Sequence, residues 1–284
     1  MWSIGIYAGE SPFQLFPHQG VSNPVLTSRD VTDVPAEFVA DPFMARRGTT
    51  WYMFFEVMNR QTQRGEIGLA QSVDGLVWSY RQIVLAEPFH LSYPYVFEWA
   101  GEHYMIPETL GANAVRLYRA TAFPTEWAYL GPLFEGTFAD PSIFYFEDHW
   151  WLFACSTPYR HDTLRLFRSV SLTGAWAEHP ASPIVEEDNL SARPGGRVLV
   201  TGREVTRFSQ VCFPSYGSQV RAFEIRQLAG ASYSEEEHPQ SPVLQGSGSG
   251  WNAVGMHHVD PHLIADGRWL ACVDGLSQLP DAGK

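Results

Sequence analysis

Five times along the chain, an X-Pro step opens an apolar run. The steps are Asp41-Pro42-Phe43-Met44, Tyr93-Pro94-Tyr95-Val96, Asp140-Pro141-Ser142-Ile143, Arg193-Pro194-Gly195-Gly196 and Asp260-Pro261-His262-Leu263. Their prolines lie 52, 47, 53 and 67 residues apart. A turn with Gly or acidic residues follows each step, and then a second run: Trp51–Glu56, His103–Glu108, Trp150–Ala154, Val205–Gln210 and Trp269–Asp274. Short apolar runs bounded by such turns predict β-hairpins. A third run comes at Ile67–Ala70, Val115–Tyr118, Leu164–Phe167 and Val220–Phe223, and a fourth at Gln82–Leu85, Gly131–Phe134, Ser182–Val185 and Ser241–Leu244. Pro early in most of the fourth runs suits an outer edge, where a missing N–H costs least.

Four strands per unit at a period near fifty residues predicts an all-β fold, a five-bladed β-propeller. The fifth unit stops after two strands. Its missing pair lies at the other end of the chain, with Ile4–Tyr7 as third strand and Asn23–Leu26 as fourth. Closing the last blade with the N-terminal strands removes open sheet edges. It makes 1–275 a single domain, with 276–284 left as a C-terminal tail.

The first strand of each blade lines the central channel, and the second returns antiparallel to the same level. The start of one and the end of the other therefore meet at one mouth. These positions hold Asp41 with Glu56, Tyr93 with Glu108, Asp140 with Ser156, Arg193 with Gln210 and Asp260 with Asp274. Several carboxylates around one cavity suit sugar chemistry. Burial and like charge raise one pKa to give an acid, while another group stays ionised as base or nucleophile. Carboxyls about 5 Å apart retain configuration and pairs about 6.5–9.5 Å apart invert it. Asp41, Glu56, Glu108, Asp140 and Asp260 are the candidate carboxyls of this mouth. Glu56, Tyr93, Arg193, Gln210, His257 and Asp260 are candidate substrate contacts. The planar fork of Arg193 suggests an anionic group on the carbohydrate.

Composition narrows the partners. The formal net charge of −12 argues against nucleic acid and anionic membranes. No run of eighteen apolar residues is present, so no membrane insertion is expected. Three scattered cysteines and an N-terminus without a basic and apolar leader point to a cytoplasmic protein, and a monomer is expected. Ser72-Val73-Asp74-Gly75-Leu76-Val77-Trp78 reads as a structural turn, and Glu235-Glu236-Glu237 as a solvated strand end.

The Asp-Pro blade starts resemble the five-bladed propellers of glycoside hydrolase families 43, 62 and 32. That resemblance implies Asp41 as general base and Asp140 as the group that tunes the acid's pKa. It also implies a channel histidine that often ligates calcium. Gly255-Met256-His257-His258 resembles that site, with His258 as the metal ligand; no other cofactor is required. The family's acid, a Glu opening the fourth blade, is replaced here by Arg193, which cannot give up a proton. Either Glu108 or Glu56 would then supply the acid from a neighbouring blade, or the domain does not follow the family's mechanism. Glu108 is the candidate, because its Ile-Pro-Glu-Thr setting keeps it beside the mouth, with Asp41 the base or nucleophile. A closer resemblance covers nearly the whole chain. Phe38–Phe43, Phe89–Pro94, Ala192–Arg197, Arg207–Gln210 and Tyr216–Ser218 are similar to the N-terminal propeller domain of plant glucosamine inositolphosphorylceramide transferases. Two readings follow. One is a glycoside hydrolase-like enzyme acting in an acidic funnel. The other is a non-catalytic glycan-binding propeller that presents substrate to a partner glycosyltransferase or other enzyme.

Overall fold

A computed structural model describes residues 1–264 and 266–278. The chain opens with β1 (Trp2–Ser11) and β2 (Gln14–Pro17). Blade 1 follows as β3 (Ala36–Arg47), β4 (Thr50–Asn59), β5 (Arg64–Ser72) and β6 (Ser79–Leu85). Blade 2 is β7 (Ser92–Trp99), β8 (Glu102–Glu108), β9 (Ala114–Ala122) and β10 (Glu126–Glu135). Blade 3 is β11 (Ala139–Phe146), β12 (His149–Cys155), β13 (Leu164–Ser169) and β14 (Ala177–Glu178). Blade 4 is β15 (Leu199–Thr201), β16 (Glu204–Gln210), β17 (Gln219–Ala229) and β18 (Ser232–Glu237), with β19 (Leu244–Gln245) on β17. Then β20 (Val259–Leu263) and β21 (Trp269–Leu276) pair with β1 and β2 in the order β2-β1-β21-β20. The predicted closure of the last blade is thus the observed one, with Trp2 to Gly9 running against Leu276 to Trp269. Residues 279–284 of the expected tail lie outside the described residues.

Apolar residues facing one another between blades form the core. Phe43, Phe54, Tyr95, Leu117 and Leu152 belong to one buried cluster spanning blades 1 to 3, and Ile4, Met53, Phe55 and Leu270 to another joining blades 5 and 1. Three fourth strands differ from expectation. The outer strand is Gln14–Pro17 rather than Asn23–Leu26, Ala177–Glu178 rather than Ser182–Val185, and Ser232–Glu237 rather than Ser241–Leu244. The expected segments instead pair at the start of the third strand, through Leu26 with Ile4, Val185 with Leu164 and Leu244 with Val220. Leu26, Val243 and Leu244 are buried there. Their apolarity signals packing beneath the blade, whereas a solvent-facing outer strand is polar and leaves little periodic signal. Glu235, expected in a solvated run, is the partner of the buried Arg207, at 2.5 Å.

The fourth blade's inner segment also differs. Arg193–Gly196 forms only bridges, Pro194 to Ser209 and Gly196 to Val259. Gly196 has φ 142, and a Cβ on it would lie 1.8 Å from the Val259 carbonyl oxygen. Glycine lets the inner backbones of blades 4 and 5 touch and narrows the channel.

Candidate functional site

In the first three blades, the X-Pro step sits in a β-bulge of the inner strand. The register slips between Ala40 and Phe43, Ser92 and Tyr95, and Ala139 and Ser142. Asp41, Tyr93 and Asp140 there take φ of 52, 47 and 51, a region that few non-glycine residues occupy. Such bulges re-aim side chains and gather at functional sites. Here they bring Asp41 and Asp140 into contact with groups from other blades.

Asp41, His257 and Asp274 form one half of the mouth. Asp274, fully buried at the end of β21, accepts the backbone N–H groups of Asp41, His257 and His258, each at 3.1 Å. It also takes Nδ1 of His257 at 2.7 Å. These donors hold its pKa below the usual carboxylate range against burial. His257 in turn is raised to about 9 by the charge of Asp274, despite its burial, and stacks on Trp2 at 4.0 Å. Its Nε2 lies 3.6 Å from Asp41. Burial drives the Asp41 carboxyl well above its ordinary range, opposed by the imidazolium.

The other half is built on Arg193. Its Nε donates to Asp140 at 2.6 Å, and its Nη2 reaches Glu108 and Asp140 at 3.4 Å each. Its Nη1 donates to the Pro158 carbonyl at 3.3 Å and to Nδ1 of His161 at 2.8 Å. The guanidinium lies 5.2 Å from the Tyr216 ring centroid. All of its donors are therefore engaged within the protein, and the fork expected to hold an anionic substrate group is instead a brace between two carboxyls. Gln210 adds a bond to Asp140 at 2.9 Å. The Asp140 N–H donates to Glu108 at 3.2 Å. Burial and the negative charge of Asp140 raise Glu108 to about 8, with Arg193 opposing.

The remaining expected residues make other contacts. Glu56 sits beside the half-exposed His90, at 3.2 Å. Tyr93 gives only its backbone N–H to Asp41, at 3.2 Å. Its hydroxyl crosses the channel, accepting from Gly196 N–H at 2.8 Å and meeting Ser142 at 2.8 Å. Asp260 is not with Asp41: it pairs with Arg197 and, at 2.9 Å, His262, deeper along the strand beside Met44. His258 is fully buried between the edges of Phe43 and Tyr93, its pKa pushed down to about 4 by burial. Neither of its ring nitrogens has a partner among the described residues, and Asp41 is 3.9 Å away. Phe43, Tyr93, Tyr95 and His258 thus stopper the channel below the mouth. His161, Tyr216, Trp2 and His90 were not among the expected contacts. Trp2 was within reach of the repeat: a third strand starts at the mouth, as a second strand ends there.

Glu108 makes folding stability depend on pH. Between about pH 4.5 and pH 8, the native carboxyl holds a proton that the unfolded chain has lost, so its contribution falls as pH rises. Glu108→Gln should flatten this slope and gain roughly 2–4 kcal/mol over wild type near pH 9. Urea unfolding at pH 5, 7 and 9 measures it; parallel curves would refute the raised carboxyl.

A ring of five small sheets, the last closed by the N-terminal strands, defines a five-bladed β-propeller. The solved structures similar to it include a putative glycoside hydrolase from Parabacteroides distasonis ATCC 8503 (TM-score 0.66, 11% identity, 95% of this chain and 99% of that one). A thermostable family-43 glycoside hydrolase is also similar (TM-score 0.62, 12% identity, 92% and 94%). At these identities, the likeness concerns the fold. Residues 1–276 match the family described as glucosamine inositolphosphorylceramide transferase 1, N-terminal, and the chain belongs to that family. The glucosamine inositolphosphorylceramide transferase 1 of Oryza sativa subsp. japonica is 38% identical over 301 residues, covering 96% of this chain. The chain spans 40% of the length of that relative. No helix among the described residues is long and apolar enough to cross a membrane.

Proposed function

We propose that the mouth binds a glycan and acts on its glycosidic bond, with Glu108 as proton donor, Asp140 as the charge that raises its pKa, and Asp41 as the opposing carboxyl. The observation that carries this reading is Glu108. It is a carboxyl that keeps its proton near neutrality because burial, and then the charge of Asp140, disfavour its ionised form. Arg193 bonds Asp140 on its other side and restrains both side chains. Opposite them, Asp41 stands 3.6 Å from Nε2 of His257; burial holds its carboxyl well above the ordinary range, and the imidazolium works against that shift, toward the ionised form a base needs. The charges of the mouth are compensated in pairs, Arg193 with Asp140 and His257 with Asp274. That balance suits a neutral sugar presenting hydroxyl groups. His258, buried with free ring nitrogens, fits the role of a calcium ligand with Asp41 beside it. Calcium favours oxygen ligands, so water and sugar oxygens would complete its shell; it would supply positive charge under the sugar.

Arg193 also favours a second reading. Its contact with Glu108 holds the acid in an ion-paired brace, an arrangement that a non-catalytic glycan-binding propeller serving a partner glycosyltransferase would tolerate. Release of p-nitrophenol from a panel of aryl glycosides, with calorimetric binding of the same sugars, separates the two. The catalytic reading expects turnover that drops roughly 10²–10⁴-fold in Glu108→Gln while binding persists. Sugar binding with no turnover in wild type would favour the second.

A further inference from the structure

A second polar pair lies on the mouth side, where blades 1 and 2 meet. Glu56 projects from β4 opposite Ala40, beside the bulge that carries Asp41. His90 stands in the segment leading into β7. Gly65, at the start of β5, donates its N–H to Nδ1 of His90 at 2.9 Å and accepts the Leu91 N–H at 3.0 Å. In the neutral ring, that bond leaves the proton on Nε2, which lies 3.2 Å from Oε1 of Glu56. A Cβ on Gly65 would come within 2.1 Å of the Leu91 carbonyl oxygen and 2.9 Å of both Glu56 Oε1 and His90 Cε1. Glycine lets the backbone close on the pair at this point. Glu56 is buried, whereas 43% of the His90 side chain is open. Oε2 of Glu56 has no hydrogen-bond partner among the described residues, yet it is not closed off from solvent. The charge of Glu56 acts on Asp41 and that of His90 on Glu108, which puts the pair within electrostatic range of both carboxyls.

We infer that Glu56 accepts a hydroxyl of the bound sugar and that His90 is the residue that positions it, so that this pair sets which sugar the mouth takes. The inference rests on the proposed sugar-binding role of the mouth and adds the group that reads the hydroxyls. Other polar groups of the mouth are already engaged. Asp274 takes three backbone N–H groups and an imidazole, and Asp140 takes Arg193 and Gln210. Asp41 and Glu108 are assigned to the glycosidic bond. Glu56 remains, with an acceptor oxygen unused and an imidazole holding the other. A pair that served only to hold the blades together would need neither an open imidazole nor a carboxyl oxygen left to solvent. A carboxylate accepts at both oxygens, and its bonds to hydroxyl donors are strong enough to discriminate between sugars.

The test is calorimetry with the methyl β-pyranosides of glucose, galactose, mannose and xylose, followed by the monodeoxy analogues of whichever binds best. One analogue should bind wild type roughly 10–100-fold more weakly than its parent, the cost of a hydrogen bond to a charged group. Glu56→Met removes both acceptor oxygens at similar volume. In that variant the parent should fall toward the affinity of that analogue while the analogue itself is scarcely changed, a coupling that a structural role would not produce. Glu56→Gln serves the same comparison if the methionine variant does not fold. His90→Ala should shrink the discrimination several-fold, and His90→Gln, whose amide reaches the Nε2 position, should recover most of it. A parent-to-analogue ratio unchanged by the Glu56 variants would overturn the pair and leave sugar binding by the mouth intact. So would an equal loss for the parent and every analogue, the mark of a structural contact. Discrimination unchanged in His90→Ala would overturn His90 as the positioning residue. Binding of none of these sugars by wild type would overturn the reading of the mouth and the pair with it.

Discussion

Replacing Arg193 with alanine should destabilise the fold by about 3–5 kcal/mol at pH 7, the cost of stripping one partner from a buried charge pair. The guanidinium is buried and bonds Asp140, Glu108, the Pro158 carbonyl and His161. Its loss strands the buried Asp140 carboxylate and leaves the Glu108 carboxyl beside it without a partner. Lowering the pH should narrow the deficit, because protonation removes the stranded charge. Adding Glu108→Gln and Asp140→Asn to the variant should recover much of it, since the three groups form one coupled network. Urea unfolding of the single and triple variants at pH 7 and pH 5 provides the measurement. A loss below about 1 kcal/mol at pH 7 would mean that Arg193 is not the brace described. Arg193→Lys should not rescue fully, as a point charge cannot bridge two carboxyls and a carbonyl as a planar fork does.

The second large effect is expected at Asp274. Alanine there removes the acceptor of three buried backbone N–H groups and the counter-charge of His257. Buried unsatisfied donors cost roughly 1–3 kcal/mol each before relaxation, and a total near 3–5 kcal/mol is expected. Asp274→Asn keeps one acceptor oxygen and should lose less. The pH dependence distinguishes the charge from the hydrogen bonds. His257 is raised to about 9 in the native state, so its stabilising contribution is complete below pH 6.5 and is lost as pH rises through about 9. The gap between wild type and variant should therefore shrink above pH 9. NMR titration should show the His257 pKa falling by more than one unit in either variant; an unmoved imidazole would remove Asp274 as its anchor.

Much of the architecture was legible in the chain. The X-Pro steps and the hairpin turns behind them recur because each blade solves the same packing problem, and the N-terminal strand pair was needed to complete the count. The outer strands were less legible. Ser232–Glu237 and Gln14–Pro17 pair with β17 and β1 alone and bury little, Leu15 being their one buried side chain, so few positions constrain their sequence. Within the mouth, Asp41, Glu108 and Asp140 were found from their level on the strands, and the structure does gather them with Arg193, Gln210 and His257. Asp260 follows the same X-Pro pattern but pairs with Arg197 instead. No register slip occurs in the pairing of β20 with β21 to re-aim it, as happens at Asp41.

The sequence by itself determined the repeat, the ring closure and the residue types at the mouth, because strand periodicity and turn chemistry are local. Only the tertiary structure decided who pairs with whom. Arg193 reaches Glu108 from 85 residues away, and Asp274 caps Asp41 from 233. Those partnerships depend on ring geometry and on three bulges that turn Asp41, Tyr93 and Asp140 out of the regular pleat. The same geometry sets the charge states. Glu108 holds its proton because it is buried and a carboxylate from the next blade lies near it.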